Sequence, residues 1–238
     1  MTAALPKVDY WKGFRDGLPF VIPIIPFGTL FGVLAADTGA DAVQALAFSI
    51  TVFAGGAQFA ALQLMQDGAP ILIVLASALA VNLRLVMYSA SLTPYLGAAP
   101  LWQRAIAAFV TVDQSYTGAI VKYEKEPNMT VPQRMAYFFG LISPLTPFWL
   151  LCTYLGAVLG ARIPDSWALD FALPITFLAM IGPMMRTSAH VVAALVAIAV
   201  ALLAVDVPFN LGLLIAGFAG MAAGAQAELF NERRKAKA

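Results

Sequence analysis

The amino-acid sequence predicts an all-α integral membrane protein with about eight transmembrane helices. Of its 238 residues, 61% are hydrophobic and 11% are charged, whereas an ordinary soluble domain carries about 25% charged residues. The mean hydropathy is +0.82. The charged residues cluster between apolar runs of about 20 residues, the length that an α-helix needs to cross a bilayer. We therefore expect residues 1–238 to form a single polytopic membrane domain.

The apolar runs define seven to eight candidate spans, some of which are expected to be broken. In chain order they are residues 14–36, 42–64, 70–93, 103–123, 135–161, 167–185, 188–205 and 208–229.

Basic residues predict the orientation of these spans, because loops rich in Lys and Arg stay in the cytoplasm. Such clusters occur at both ends of the chain and in the loop between residues 122 and 134, so both termini are predicted to be cytoplasmic. The loops with Asp37, Asp41 and Asp206 then lie outside. Arg104 and Arg162 are exceptions, since this topology places each of them on the outer side.

Two parts of the chain resemble each other. Pro19-Phe20, Gly28, Gly32 and Asp37 match Pro147-Phe148, Gly156, Gly160 and Asp165 at a constant spacing. The match predicts repeat halves 13–123 and 134–230, and many transporters hold their substrate between such halves near the midplane. The halves are parallel if every segment crosses the membrane, whereas the relation inverts if residues 103–123 are only re-entrant. The sequence leaves both alternatives open.

Two charged residues, Arg84 and Asp113, lie midway along the third and fourth spans instead of at their ends. At a rise of about 1.5 Å per residue they fall at nearly the same depth. Charges at membrane depth are costly and usually functional. The two residues could form a structural ion pair, or they could hold the carboxylate and the ammonium of a zwitterionic substrate. Asn82 and Tyr88 lie near Arg84 in sequence and are further candidates for substrate binding.

A glycine pair, Gly55 and Gly56, lies near the centre of the second span. Paired glycines weaken a helix, and an opened backbone exposes N–H and C=O groups that can hold an ion or a carboxylate. Gln58 would add a donor and an acceptor, and Phe53 would suit an apolar side chain. The alternative is close packing of helices through small residues.

Five prolines inside predicted spans are candidate hinges, because each removes a backbone hydrogen bond and should kink or break its helix. They are Pro19, Pro23 and Pro26 in the first span and Pro144 and Pro147 in the fifth. The nearby G-x-x-x-G pairs, Gly28 with Gly32 and Gly156 with Gly160, are instead expected to pack helices together.

Other classes of function lack the residues that they require. The 14 Lys+Arg and 13 Asp+Glu nearly balance, so no nucleic-acid partner is expected. One Cys and one His are too few for a metal site, and no cofactor is expected. A serine hydrolase would have to use His190, which we place near a membrane face, so the chain is not predicted to be an enzyme. A passive channel, or a membrane subunit for another solute, remains the alternative to a carrier.

Several motifs follow one another in a specific order. They are Gly-Leu-Pro at 17–19, Pro-Phe-Gly at 26–28, Phe-Ala-Gly-Gly-Ala-Gln-Phe at 53–59, Asn-Leu-Arg at 82–84, Tyr-Ser at 88–89, Ser-Leu at 91–92, and Asp113. In this order they resemble the AzlC-type branched-chain amino acid permeases of bacteria, over nearly the whole chain.

The resemblance implies export of branched-chain or similar small neutral amino acids across the inner membrane, together with a small hydrophobic AzlD-type membrane subunit. On this hypothesis Arg84 and the backbone of Gly55 and Gly56 bind the substrate carboxylate, and Asp113 binds the ammonium or a coupling proton. Leu85 departs from the pattern, since many members have His directly after the Arg of this motif. If that His serves coupling or substrate contact, this chain must differ there.

Overall fold

The computed structural model describes residues 6–160, 185, 187–207 and 211–235 of the chain. All regular elements in these residues are helices, which confirms the all-α prediction for the described part. The chain divides into two compact units. The first is drawn from Met1–Gln63 and Ala78–Pro164, and the second from Leu64–Ser77 and Asp165–Ala238.

In chain order the described helices are α1 (Lys7–Gly17), α2 (Val21–Asp37), α3 (Ala42–Thr51), α4 (Gly55–Gln66), α5 (Ile71–Leu96), α6 (Leu101–Phe109), α7 (Asp113–Lys125), α8 (Val131–Gly160), α9 (Ser188–Leu203) and α10 (Leu211–Lys235). A short 3₁₀ turn, Leu18–Phe20, joins α1 to α2.

Three helical segments of the described residues are long and apolar enough to cross a membrane: Lys7–Asp37, Ile71–Leu96 and Val131–Gly160. They coincide with the first, third and fifth predicted spans. The sixth predicted span, residues 167–185, lies almost wholly outside the described residues. The cytoplasmic termini therefore stay a prediction, and the count of eight spans is not confirmed, because two of the predicted spans are each divided into two short helices.

α1 and α2 pack in parallel along α8, with glycines at the closest approaches. A Cβ atom added to Gly13 would overlap the carbonyl oxygen of Tyr137, and one added to Gly32 would overlap that of Thr153. The residue numbers of the two partners rise together, so the helices run in the same direction. Small residues allow such close approach of two backbones.

The glycines of α8 meet α2 in the same way. A Cβ atom on Gly156 would overlap the carbonyl oxygen of Thr29, and one on Gly160 would lie 2.8 Å from the Cα of Val33. The helix-packing interpretation of both G-x-x-x-G pairs is therefore confirmed.

The substitution Gly32→Ala is expected to lower the free energy of unfolding by at least about 1–3 kcal/mol, the usual cost of overpacking, because a backbone oxygen of α8 cannot move aside as a side chain can. Thermal unfolding of the detergent-solubilised protein measures this loss. Gly217→Ala in α10 is the matched control, since its Cβ would meet nothing within 4 Å. Equal melting temperatures for the two variants would contradict the packing.

The predicted break at Pro144 and Pro147 is wrong, since both prolines lie inside the continuous helix α8. Each proline removes one backbone donor, and the contacts of α1 and α2 on either side hold the remaining turns in place. Pro19 lies in the 3₁₀ turn, and α2 begins at Val21 and continues through Pro26. The hinge role of all five prolines stays a prediction.

The second predicted span, residues 42–64, consists of two short helices. α3 ends at Thr51, α4 begins at Gly55, and residues 52–54 between them are not helical. The N–H groups in the first turn of a helix have no acceptor within that helix. The backbone N–H groups of Gly55 and Gly56 therefore have no acceptor within α4, and their role in binding a substrate stays a prediction.

The two short helices form a hairpin. Phe48 of α3 and Phe59 of α4 both contact Phe31 of α2, and each ring centroid lies 5.7 Å from that of Phe31. Phe53, between them, packs near Ile24, about two turns earlier in α2. The chain therefore descends along α2, turns at residues 52–54, and returns.

The fourth predicted span, residues 103–123, is divided in the same way, because α6 ends at Phe109 and α7 begins at Asp113. Thr111, in the interruption, is buried and its hydroxyl donates to the carbonyl oxygen of Ala107 at 2.6 Å.

These two helices also form a hairpin. Ala107 of α6 and Ala119 of α7 belong to one apolar cluster with Met135, near the start of α8. Val110, in the turn, packs against this cluster and also against a second cluster that contains Leu145, farther along α8. The chain therefore rises along α8, turns at residues 110–112, and returns.

The tips of the two hairpins meet. The rings of Phe53 and Phe109 stack with their centroids 6.4 Å apart and their planes at 28°. The order of a long helix followed by a hairpin thus occurs twice, as α2 to α4 and as α5 to α7. The predicted halves 13–123 and 134–230 stay a prediction, because part of the second half lies outside the described residues.

In the second unit α9 and α10 pack against each other. A Cβ atom on Gly220 would lie 2.9 Å from that of Ala197, and one on Gly224 would lie 2.9 Å from that of Ala193. The Asn231 side-chain amide donates to the Ser188 hydroxyl at 3.0 Å. These small residues let the two helices pair closely.

Candidate functional site

The Arg84 and Asp113 side chains form an ion pair where the hairpins meet. Nη1 of Arg84, on α5, lies 3.0 Å from Oδ2 of Asp113, the first residue of α7. The pairing expected from their similar depth is thus present. The two side chains are 31% and 25% exposed, so neither is sealed inside the unit.

The starts of α4 and α7 both lie at this pair. A carboxylate is stabilised at a helix N-terminus, where Asp113 lies. The guanidinium of Arg84 also reaches the start of α4, since a Cβ atom on Gly56 would lie 3.0 Å from its Nη2. Gly56 therefore leaves room for the Arg84 head group. A cation beside the positive end of α4 makes a region that attracts anions.

Tyr88 holds the second oxygen of the Asp113 carboxylate. Its hydroxyl donates to Oδ1 at 2.7 Å. Its ring stacks on Tyr116 of α7, with centroids 4.2 Å apart and planes at 8°. The Tyr116 hydroxyl donates to Ser91 Oγ at 3.1 Å. The two rings fix the position of α7 against α5, and with it the position of the carboxylate.

Tyr116 was not among the residues predicted from sequence. It follows Asp113 by three positions, and residues three apart on a helix share a face. That spacing is the signal that identifies it once Asp113 is taken as part of a site.

Two buried polar atoms near this region have no hydrogen-bond partner among the described residues: Nε of Arg84 and Oδ1 of Asn82. A buried donor left unpaired costs about 1–3 kcal/mol. Nη1 of Arg84 is paired with Asp113, whereas its Nε stays without a described partner. Asn82 makes no described contact with the ion pair, so its substrate role stays a prediction.

Gln58 lies in a separate buried network. Its Nε2 donates to Ser49 Oγ at 3.1 Å, and Ser49 Oγ lies 3.4 Å from Thr153 Oγ1. All three side chains are fully buried, and they join α3, α4 and α8. The described contacts of Gln58 are made there and not at the ion pair, so its role in orienting a ligand also stays a prediction.

Aromatic side chains line the hairpin tips. A Cβ atom on Gly55 would lie 3.1 Å from Cη2 of Trp149, and Phe53 stacks on Phe109. Trp149 was not predicted, because it belongs to α8 and only the tertiary structure brings it to Gly55. These rings form an apolar surface beside the polar pair.

No group of three or more His, Cys, Asp or Glu residues that could hold a metal ion occurs in the described part of the chain.

Comparison with known proteins identifies one family. The model of the family described as AzlC protein matches residues 19–163, a range that includes both hairpins, the ion pair and every predicted site residue. A membrane protein of Archaeoglobus fulgidus is 30% identical over 80% of this chain and 82% of its own.

Two further relatives carry specific names. The inner membrane protein YgaZ of Escherichia coli is 25% identical, over 74% of this chain and 73% of its own. The branched-chain amino acid transport protein AzlC of Bacillus subtilis is 24% identical, over 72% of this chain and 68% of its own. No solved structure matches the chain.

Proposed function

The chain belongs to the AzlC family of membrane proteins, a family associated with transport, and from this premise we propose that it is a secondary transporter of the inner membrane. Its substrates are branched-chain or similar small neutral amino acids, which it exports. The observation that carries the proposal is the ion pair of Arg84 and Asp113 between the starts of α4 and α7.

A zwitterionic substrate fits this pair because the charges stay balanced. The substrate carboxylate can bind Arg84 while its ammonium binds Asp113, so that no charge at membrane depth loses its partner. A substrate with net charge would leave one group in excess. The site therefore favours neutral amino acids over acidic or basic ones.

The surroundings of the pair supply the remaining contacts. The substrate carboxylate binds the Nε and Nη2 edge of Arg84 and the open N–H groups of Gly55 and Gly56, since a helix start favours anions. The hydroxyl of Tyr88 orients Asp113. The rings of Phe53 and Trp149 offer an apolar surface to an aliphatic side chain.

Proton coupling is assigned to Asp113, because it is the carboxylate that contacts Arg84 at the hairpin tips. A proton on Asp113 would release Arg84 and change the charge balance of the empty site. Uphill export at normal rates by Asp113→Asn protein under a proton gradient would rule this coupling out.

Counterflow in proteoliposomes tests the proposal that the chain is a carrier. Liposomes that contain the purified protein are loaded with unlabelled leucine, and the transient accumulation of labelled leucine is followed. A carrier gives saturable accumulation, whereas a passive channel gives only equilibration. Absence of counterflow with leucine, isoleucine, valine and methionine would contradict the proposed function.

The direction of transport and the partner are tested in cells. Cells that lack the chain are fed dipeptides, and intracellular amino acids are measured with and without the chain and a small AzlD-type membrane subunit. Export predicts that amino acids accumulate in the deletion strain and fall when both chains are restored. Equal intracellular levels in the deletion strain and its parent would rule out export.

The substitution Tyr88→Phe is expected to raise the half-saturating leucine concentration about tenfold, because a hydrogen bond to a charged group contributes about 1.5–3 kcal/mol. Counterflow measured over a range of leucine concentrations gives this value. Tyr116→Phe is the matched control, since it keeps the stacked rings and loses only the bond to Ser91. Similar values for both variants would show that the hydroxyl of Tyr88 is not important for the site.

A further inference from the structure

A half-open pocket of about 170 Å³, here called the cavity, lies within the first unit, between α5, α6 and α8. At about 30 Å³ for each water molecule, this space holds on the order of five waters, which is room for a small organic molecule. Its apolar lining includes Leu92, Leu96 and Met135, and its polar lining includes Ser89, Thr111 and Arg104.

Arg104 is the charged residue of the cavity lining, and its side chain is exposed. The cations in the ion pairs of the described residues are Lys12, Arg84 and Lys122. Within the described part of the chain the guanidinium of Arg104 therefore has no carboxylate partner. It is available to an anionic group that enters the cavity.

The inner end of the cavity adjoins the ion-pair site. Thr111 lies in the tip of the second hairpin, two residues before Asp113, and Ser89 directly follows Tyr88 on α5. A molecule in the cavity would thus lie next to the elements that position Arg84 and Asp113.

The end of the cavity that is farther from the ion pair lies at the start of α8. The rings of Tyr95 and Tyr123 have centroids 5.3 Å apart, and the Arg134 guanidinium lies 5.3 Å from the Tyr95 ring centre. The end of α5, the end of α7 and the start of α8 therefore lie together. Arg104 and Met135 line one cavity, so the start of α6 lies there too. Residues 101–125 begin and end on the same side.

The charges at the two ends identify that side. Because α1 and α8 are parallel, the end at which α8 begins also holds the start of α1. It carries the basic residues Lys12, Arg15, Arg104, Lys122, Lys125 and Arg134, whereas the opposite end carries Asp37, the last residue of α2, and Asp41, which caps α3. The positive-inside rule makes the basic end cytoplasmic. Arg104, an exception to the rule if residues 103–123 cross the membrane, conforms to it once they form a hairpin.

We propose that residues 101–125 are a re-entrant hairpin that enters from the cytoplasmic face, and that the cavity beside it is a second binding site for amino acids. There Arg104 binds the carboxylate of a substrate before the substrate reaches Arg84 and Asp113. This proposal rests on the proposed function, and it adds the route by which substrate approaches the ion pair.

A lipid phosphate would offer Arg104 the same anionic chemistry. The amino acid is favoured because Leu92, Leu96 and Met135 give the cavity an apolar wall of a size that suits an aliphatic side chain, and because the cavity ends beside Thr111 at the hairpin tip.

Cysteine labelling tests the hairpin without reference to transport. The full-length protein with Cys152→Ser, which removes its single cysteine, carries Arg104→Cys, Lys12→Cys or Ala40→Cys. A membrane-impermeant maleimide is applied to intact cells and to inside-out vesicles. We expect the maleimide to label both the Arg104→Cys and the Lys12→Cys variants in inside-out vesicles, and the Ala40→Cys variant in intact cells. If the maleimide labels the Arg104→Cys variant in intact cells, as it labels the Ala40→Cys variant, the hairpin is overturned.

Transport measured from each face tests the second site. In inside-out vesicles Arg104→Ala is expected to raise the half-saturating leucine concentration about tenfold, the value of one charged hydrogen bond, with an unchanged maximal rate. In right-side-out vesicles the shift is absent. Lys125→Ala is the matched control, because it removes a cation from the same face outside the cavity lining, and it should resemble the wild type. Arg104→Lys should restore part of the affinity.

The outcomes separate the two proposals. If the wild type transports leucine and Arg104→Ala has the same half-saturating concentration, the second site is wrong and the proposed function stands. If the effect of Arg104→Ala appears only in vesicles with anionic lipid and changes only the maximal rate, the cavity binds a lipid headgroup and the second site is again wrong. If the wild type transports no amino acid, the function and the second site both fail, while cysteine labelling still decides the hairpin.

Discussion

Asp113→Ala protein is expected to lose leucine counterflow almost completely and to be less stable than the wild type. The substitution removes the partner of Arg84, whose Nη1 lies 3.0 Å from Oδ2 of Asp113. A lone charge at the centre of a bilayer costs about 2.5–3.5 kcal/mol, so unfolding should become easier by about that amount. Arg84→Ala should have a similar effect, because it leaves Asp113 unpaired.

The double variant Arg84→Ala/Asp113→Ala separates the two interpretations of the pair. It leaves no unpaired charge, so its melting temperature should return toward that of the wild type. If the pair binds substrate, counterflow stays absent in this stable protein. If the pair is only structural, counterflow returns with stability, and the substrate role proposed for Arg84 and Asp113 is wrong.

Gly56→Ala is expected to reduce leucine counterflow without unfolding the protein. The added Cβ would lie 3.0 Å from Nη2 of Arg84, so the guanidinium must move from the place where the substrate carboxylate would bind. A charged hydrogen bond contributes about 1.5–3 kcal/mol, so its loss there should raise the half-saturating leucine concentration about 10- to 100-fold. Ala is favoured over Gly in helices by about 0.8–1 kcal/mol, so α4 should remain folded.

Gly217→Ala is the control for glycine replacement as such, since a Cβ there meets nothing within 4 Å. Gly55→Ala tests the neighbouring position, where the Cβ would lie 3.1 Å from Trp149 instead of Arg84. It should disturb the apolar surface and affect large aliphatic substrates more than alanine. A Gly56→Ala protein with unchanged affinity for leucine would contradict the placement of the carboxylate.

Several features of the site follow from the sequence because the cost of burying charge is local. Arg84 and Asp113 were expected to pair from their positions within apolar segments, and they do. The glycine pair at 55–56 indicated a weak point, and α4 begins at Gly55. The packing role of Gly32 and Gly156 was likewise expected, because small residues at helical spacing indicate close helix contact.

Other features depend on contacts between distant segments. The segments at 42–64 and 103–123 have the length and the apolarity of spans, and nothing in their composition distinguishes a crossing from a hairpin. The direction of α4 is apparent only from the packing of Phe48 and Phe59 on the same ring of α2. Pro144 and Pro147 suggested a break because each removes a backbone hydrogen bond from its own helix. That argument leaves out the neighbouring helices, and packing against α1 and α2 keeps α8 continuous.

The sequence by itself predicted an all-α membrane protein with a charged pair among apolar segments, and its motifs identified the family. The hydrophobicity and the charge of a segment depend only on the residues that it contains, so both can be determined from the sequence. Only the tertiary structure decided that the starts of α4 and α7 converge on Arg84 and Asp113, that Tyr116 and Trp149 join them, and that Arg104 lines a cavity. Those facts depend on how distant helices pack, and packing is set by mutual fit between surfaces that no single segment encodes.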